Sequence, residues 1–342
     1  MSAPLRLRLD GAALTDNWRT LAAMSGRAVC GAAIKADGYG LGASEVVRRL
    51  AGAGCRDFFV ATWAEALALA PSGVSLAVLH GVREEDLPAA LSGTARPVLN
   101  TAMQVGRWKA AGGGACDVMV DTGMNRLGVS VEEIAAGLLE GLTIDTLMSH
   151  LASADEDVAL NEAQRNAFAA LAGKTGAKRM SLANSAGIAL GAGYAFDLTR
   201  PGIALYGGVP RKGGEGRIRQ VVTPQAQILQ RRLVPAGSVV GYNATWTASA
   251  PTEVAILNLG YADGYWRGFS NKGVARAGDR ALPVIGRVSM DLTAIDVTAA
   301  SELAEGDWVA IDYALPEAAT ITGMSQYELL TGMGRRYERV WS

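Results

Sequence analysis

The sequence predicts an α/β protein in two parts, a (β/α)8 barrel followed by a C-terminal β-rich domain. Three observations carry that reading. Between Ala28 and about Gly208, short apolar runs alternate eight times with helix-length runs, the pattern of parallel strands buried on both faces and wrapped by helices. From about Gly213 the helix-length patterns give way to short runs of Val, Ile and Leu divided by Gly, Pro and Asn, as in strands joined by turns. With 342 residues, 49% of them hydrophobic, the chain can bury one large core and one smaller one. A doubly wound open sheet shares the same alternation, and periodicity alone does not separate it from a closed barrel.

Taken in order, Arg6-Leu7-Arg8-Leu9 alternates as a half-buried strand does. A helix over 15–24 and a first barrel strand over 28–35 come next. Further strands are predicted at 57–61, 75–79, 96–99, 117–120, 144–149, 179–182 and 196–199. Between them lie helices at 43–52, 64–70, 84–91, 102–110, 132–139 and 162–171, and a short one near 187–190. The polar, glycine-rich stretch 211–216 is a linker, which places the barrel at 10–212 and the β-rich domain at 217–342.

Composition narrows the function. The formal net charge is −1 and no long basic run occurs, which disfavours nucleic acid or a membrane surface as partner and favours small molecules. Cys30, Cys55 and Cys116 are odd in number and lack metal-ligand spacing, and His80 and His150 are the only histidines, so no metal site is expected. No signal-peptide pattern opens the chain and no apolar run reaches membrane-spanning length. A cytoplasmic location is the expectation.

In a (β/α)8 barrel the active site is built at the carboxyl ends of the strands. The predicted strands end in Lys35 (first), the Asp121-to-Arg126 loop (fifth), Ser149-His150 (sixth), Asn184-Ser185 (seventh) and Arg200 (eighth). Lys35 closes an apolar run just before a small, turn-prone loop carrying Tyr39, and an amine so placed can hold a carbonyl cofactor as a Schiff base. Singly, each residue has a commoner reading: Lys35 as a snorkelling surface amine, Arg126 as a surface ion pair, His150 as a satisfied, partly buried histidine. Jointly, one amine, one imidazole and two guanidinium groups at one mouth are harder to dismiss. The N–H groups of Gly202 and Ile203 would open a short helix beside Ser185, where barrels often hold a phosphate, so a phosphorylated cofactor fits; the plain alternative is a turn and a helix cap. In the second domain, Tyr261 lies in a glycine-bracketed loop after an apolar run. Such a tyrosine is more often a loop anchor than an acid or base.

Read together and in order, Ile34-Lys-Ala-Asp-Gly-Tyr-Gly, Asp121-Thr-Gly-Met-Asn-Arg-Leu-Gly, Ser149-His-Leu-Ala-Ser-Ala-Asp, Ala183-Asn-Ser, Arg200-Pro-Gly-Ile-Ala-Leu-Tyr-Gly, Gly260-Tyr-Ala-Asp-Gly, Gly286-Arg-Val-Ser-Met-Asp and Tyr327-Glu-Leu-Leu resemble the alanine racemase family over the whole chain. These are fold-type III enzymes dependent on pyridoxal 5'-phosphate. The resemblance implies a barrel plus a β-domain that includes residues 1–9. It also implies a head-to-tail homodimer in which each second domain lends a tyrosine to the partner's site.

Carried over position by position, Lys35 is the Schiff-base lysine and one acid/base group, and Tyr261 is the other, acting from the partner subunit. A planar carbanion has two faces, and inversion needs a proton donor or acceptor on each. Tyr39, Ser185, Gly202, Ile203 and Tyr327 match the phosphate contacts, Arg200 the donor to the pyridine nitrogen, and His150 the link from that arginine to Tyr261. Arg126 and the backbone around Met290 match the contacts to the substrate carboxylate, and Tyr242 and Tyr265 the entrance. The sequence departs from the family where Met119 replaces a frequent carbamylated lysine, leaving a chloride or another carboxylate as counterion for Arg126. Ser289 stands where cysteine is frequent, and Ala36-Asp-Gly-Tyr where Ala-Asn-Ala-Tyr is common.

The resulting expectation is an isomerase that interconverts L- and D-alanine, for cell-wall precursors or for alanine catabolism. The alternatives are a racemase for serine, lysine or arginine, or an aldolase or decarboxylase with the same cofactor. A non-catalytic cofactor-binding protein resembles the barrel alone, and the second domain argues against it.

Overall fold

Residues 3–211 and 216–342 are described by the computed structural model, so most of the predicted linker, 212–215, lies outside the described residues. The chain divides into two compact units, Leu14–Arg219 and Met1–Ala13 with Gln220–Ser342.

In the first unit, Ala32–Ala33, Asp57–Val60, Ser75–Val78, Arg96–Leu99, Cys116–Met119, Ile144–Met148 and Arg179–Ser181 pair side by side, all parallel. Leu198–Thr199 pairs in parallel with Val29–Cys30, Leu198 opposite Val29. It also reaches the seventh strand's segment through Asp197 N–H to Met180 O (3.0 Å) and Arg200 N–H to Ala183 O (2.8 Å). First and last strands are therefore joined, which closes the (β/α)8 barrel and excludes the open sheet. The strands are short because both faces are buried: every residue of Asp57–Val60 and Cys116–Met119 is inside. Outside them, helix Ala43–Ala53 turns Val46, Val47 and Leu50 inward, each contributing about 1.5–3 kcal/mol by burial.

The first strand departs from the reading of 28–35 as one run. It is split at Gly31, where a Cβ would stand 2.8 Å from Asp57 O and 2.9 Å from the Phe59 ring, and it ends at Ala33. After the eighth strand there is a 3-10 turn, Ile203–Tyr206, rather than an α-helix. At the amino ends of the strands, away from the mouth, an ionic network forms. Arg179 donates to Asp57 (2.9 Å) and Asp145 (2.7 Å), and Arg96 lies 3.4 Å from the fully buried Asp117. Residues at that end of a barrel bear on the fold rather than on the chemistry at the mouth.

The second unit is an antiparallel barrel. Thr252–Leu257, Thr293–Asp296, Arg280–Ile285, Val274–Ala277, Trp308–Ile311 and Val222–Val234 pair in that order, and Val222–Val234 pairs back with Thr252–Leu257 to close the ring. Strand Leu5–Leu9 adds to it antiparallel to Val222–Val234, and Glu338–Trp341 adds parallel to Leu5–Leu9. Leu5, Leu7 and Leu9 are all at most 2% exposed, which is what the alternating pattern requires. Two short helices, Leu315–Thr322 and Gln326–Thr331, stand among these strands.

Candidate active site

Lys35 lies just past the end of the first strand, where the chain enters a left-handed turn. Ala36, Asp37 and Gly38 have φ/ψ of 53°/49°, 54°/49° and 64°/44°, and Tyr39 has φ 56°. For its three non-glycine residues such a turn costs about 3–6 kcal/mol in all, so neighbouring contacts must hold it. Gly38 N–H donates to Ile34 O and Gly40 N–H to Ala36 O (both 2.8 Å), while Asp37 Oδ1 accepts from Ala43 N–H (2.8 Å). Glu65 makes the longest-range tie: Oε1 accepts from Ala36 N–H (2.7 Å), and Oε2 from Ala61 N–H (2.7 Å) and Thr62 N–H (3.2 Å). The Lys35 side chain meets solvent, yet the protein around it desolvates the amine, and with Arg126 this lowers its pKa while Glu65 opposes the shift. A lowered pKa keeps more of the amine in its nucleophilic form.

The turn delivers Tyr39 to the inside. Its ring stacks on Tyr206 at 4.7 Å, and the Tyr206 hydroxyl donates to Ala33 O (2.9 Å). The Tyr39 hydroxyl lies over Gly202, only 2.1 Å from where a Cβ would be, so a glycine is required there. Ser185 opens helix Ser185–Ala189, capped by Asn184, and its Oγ accepts from Gly202 N–H (2.9 Å) and Ala204 N–H (3.2 Å). Ile203 begins the 3-10 turn, so its N–H has no acceptor within that turn. A phenol, a hydroxyl and turn-opening N–H groups thus gather around a side-chain-free glycine, as an anion requires.

Arg200 is 6% exposed. It donates to Ser181 Oγ and to Ser149 O (2.7 Å), and burial brings its pKa down to about 10, which leaves it charged at neutral pH. The His150 carbonyl accepts from Gln164 (3.1 Å). Its imidazole is pushed down to about 3 by burial first, then by Arg200, Arg126 and Lys35, so it is neutral. Arg126 sits exposed on the loop whose backbone Asp121 gathers through Gly123, Met124 and Arg126 N–H. Met119, ending the fifth strand, is 8% exposed and supplies no charge to that arginine. The barrel thus brings Lys35, Tyr39, Ser185, Arg200, Gly202 and Ile203 to the carboxyl ends of its strands, with His150 and Arg126 on neighbouring loops.

In the second unit, Tyr261 begins a one-turn 3-10 segment, Tyr261–Asp263. Its N–H donates to Ser289 O and that of Ala262 to Met290 O (both 3.0 Å), so the loops of Tyr261 and Met290 are fastened to each other. The Arg267 guanidinium stands 5.2 Å from the Tyr261 ring centre. Met290, Tyr242 and Tyr327 are 55%, 68% and 43% exposed. Tyr265 corrects the sequence reading: it is 1% exposed and stacked on Phe269 at 4.3 Å, a core residue and not an entrance residue. Sequence reasoning missed Glu65 and Tyr206. The Thr62-x-x-Glu65 spacing signals a capping box, but nothing local signals the reach to Ala36.

The chain matches the family descriptions "Alanine racemase, N-terminal domain" over residues 9–210 and "Alanine racemase, C-terminal domain" over 221–341. It is 43% identical to the alanine racemase of Acidiphilium cryptum, covering 98% of both chains. It is 42% identical to the catabolic alanine racemase of Agrobacterium fabrum, covering 97% of this chain and 91% of that one. Among solved structures, the alanine racemase of Bartonella henselae with covalently bound pyridoxal phosphate is 34% identical, with a TM-score of 0.89 and full coverage of both chains.

Proposed function

The chain belongs to the alanine racemase family, and on that premise we propose that it interconverts L-alanine and D-alanine with pyridoxal 5'-phosphate as cofactor. The observation that carries the reading is the pairing, at one barrel mouth, of an amine of lowered pKa with the donor-lined cradle around Gly202. The barrel residues fit that cofactor: Tyr39, Ser185, Gly202 and Ile203 would hold its phosphate, to which the family pattern adds Tyr327, Arg200 would face its ring nitrogen, and Lys35 Nζ would be the covalent attachment point. When bound, the cofactor supplies an electron sink that makes removal of the substrate's Cα proton feasible.

Everything else falls to side chains. Arg200, charged and fixed by Ser181 and Ser149, would donate to the ring nitrogen and so disfavour its protonation. Lys35 Nζ takes or returns the Cα proton on one face, and the Tyr261 hydroxyl serves the other from the partner subunit of a homodimer. Neutral His150, near enough to Arg200 for that cation to lower its pKa, would on the family pattern connect Arg200 to that tyrosine without adding charge. Arg126 and the Met290 backbone bind the substrate carboxylate. A cytoplasmic location agrees with three buried, unpaired cysteines, and no helix among the described residues is long and apolar enough to cross a membrane.

Replacing Lys35 with alanine tests the assignment. The expected result is loss of both the bound cofactor's violet-edge absorbance and the racemisation of L-alanine; retention of both would refute it. Assaying L-alanine, L-serine, L-lysine and L-arginine for their D products settles the substrate, with alanine expected to turn over fastest.

A further inference from the structure

The Tyr261 turn is not held by its own strand alone. Asp263, which closes it, is fully buried and accepts from Gly260 N–H through Oδ2 (3.1 Å). The same carboxylate takes a forked pair of bonds from Arg336, Nε to Oδ1 at 2.6 Å and Nη2 to Oδ2 at 2.8 Å. The remaining nitrogen, Nη1, donates to Asp291 Oδ1 (2.7 Å), and Asp291 directly follows Met290. One guanidinium therefore spans the turn that carries Tyr261 and the loop that carries Met290. Both carboxylates raise its pKa, Asp263 most. The two loops are already in close register: a Cβ on Gly260 would stand 2.3 Å from Met290 O.

We infer that Arg336 is a positioning residue for Tyr261: by bridging Asp263 and Asp291 it fixes where the tyrosine hydroxyl sits relative to the Met290 loop. The inference rests on the reading of Tyr261 as one of the two acid/base groups. A tyrosine on a single turn pivots through its backbone, and a misplacement of about 1 Å at a reacting group costs up to about a hundredfold in rate. Lysine in place of Arg336 can restore the charge but not the fork, because an ammonium offers no fixed planar geometry.

The test uses the full-length, cofactor-loaded enzyme in D2O. For each alanine enantiomer, NMR measures exchange of the α-proton with retention and net racemisation, and their ratio is compared among Arg336→Met, Arg336→Lys, Asp291→Asn and, as reference, Tyr261→Phe. When the group on one face is misplaced, the other base still removes and returns the proton on its own side, so exchange outruns inversion for one enantiomer. Arg336→Met should raise that ratio about tenfold or more, with Arg336→Lys intermediate and Asp291→Asn smaller but in the same direction. The Asp291 side chain is 49% exposed and its loss leaves the Asp263–Arg336 pair intact, so that variant decides the matter if Arg336→Met does not fold. Exchange and racemisation falling together, with an unchanged ratio, overturns the inference while Tyr261→Phe still shows a raised one. An unchanged ratio in Tyr261→Phe removes the two-base reading and the inference with it.

Discussion

Gly202→Ala puts the phosphate cradle under direct test. The Gly202 φ of −125° lies outside the left-handed region that favours glycine, and the steric effect follows from the neighbours of the new methyl. The new methyl would lie 2.1 Å from the Tyr39 hydroxyl and 2.9 Å from Cζ, where ordinary contact begins near 3.4 Å. The hydroxyl must therefore retreat by about 1.3 Å, the difference between those distances. It has little freedom to do so, because Tyr39 is 5% exposed, stacked on Tyr206 and carried on a backbone of positive φ. Overpacking of this kind costs about 1–3 kcal/mol. A retreat beyond hydrogen-bond range also removes a bond to a charged group, worth about 1.5–3 kcal/mol. At about 1.4 kcal/mol per tenfold, the second loss alone weakens cofactor binding about 10- to 150-fold.

The assay is titration of the cofactor-free protein with pyridoxal phosphate, followed by visible absorbance, for the wild type, Gly202→Ala, Tyr39→Phe and the double variant. Tyr39→Phe removes the closer clashing atom and leaves only Cζ, 2.9 Å from the new methyl, to give way by about 0.5 Å, so the double variant should bind somewhat less well than Tyr39→Phe alone but clearly above the product of the two losses. Binding by Gly202→Ala within about twofold of the wild type would refute the packing argument. Losses that multiply in the double variant would refute the claim that they act through one hydroxyl.

Two further predictions concern titration. His150 has its pKa pushed down to about 3, so its imidazole proton resonances should not move between pH 5 and 8. Being a base with a depressed folded-state pKa, it contributes stability above its unfolded value near 6.5 that is lost as pH falls toward 3, by at most about 1.4 kcal/mol per pH unit; a midpoint near 6.5 by NMR would contradict the network around it. Asp117 is pushed up to about 6, chiefly by burial, with Arg96 opposing. Its stabilising contribution is therefore complete below about pH 4 and lost as pH rises through 6. Asp117→Asn keeps an acceptor for Thr146 N–H and should unfold in urea at pH 7.5 no earlier than the wild type; a loss of about 3 kcal/mol there would show the charged pair to be net stabilising.

The barrel was legible because closure with parallel strands buries both strand faces, which writes short, uninterrupted apolar runs into the sequence. Closure itself was not, since pairing of Leu198 with Val29 leaves no local signal that an open sheet would lack. The first strand reads two residues too long in sequence because Ile34 and Lys35 extend the apolar run, while the split at Gly31 is imposed by the neighbouring strand. In the second unit, the helices at Leu315–Thr322 and Gln326–Thr331 escape a reading for strands, although Pro316 at a helix start and the Ser325-x-x-Glu328 capping box announce them. Tyr265 is misplaced by sequence because glycine on one side suggests a loop, and only the stacking on Phe269 shows that its ring fills a core.

The two residues assigned to proton transfer share a form of support that neither local sequence reveals. Lys35 opens a turn whose strained backbone is tied by Glu65 to the loop after the second strand; Tyr261 opens a turn whose buried Asp263 is tied by Arg336 to the Met290 loop. In each unit a reactive side chain rides on a short turn rather than on a helix or strand, and a charged side chain distant in sequence fixes that turn. The physical need is plain. Inversion requires one proton-bearing atom on each face of the same carbon, and a turn of three or four residues has too few hydrogen bonds of its own to hold one to within an ångström. A carboxylate or guanidinium can supply the missing bonds from outside, since it makes several at once, and such partners are found only when the chain has folded.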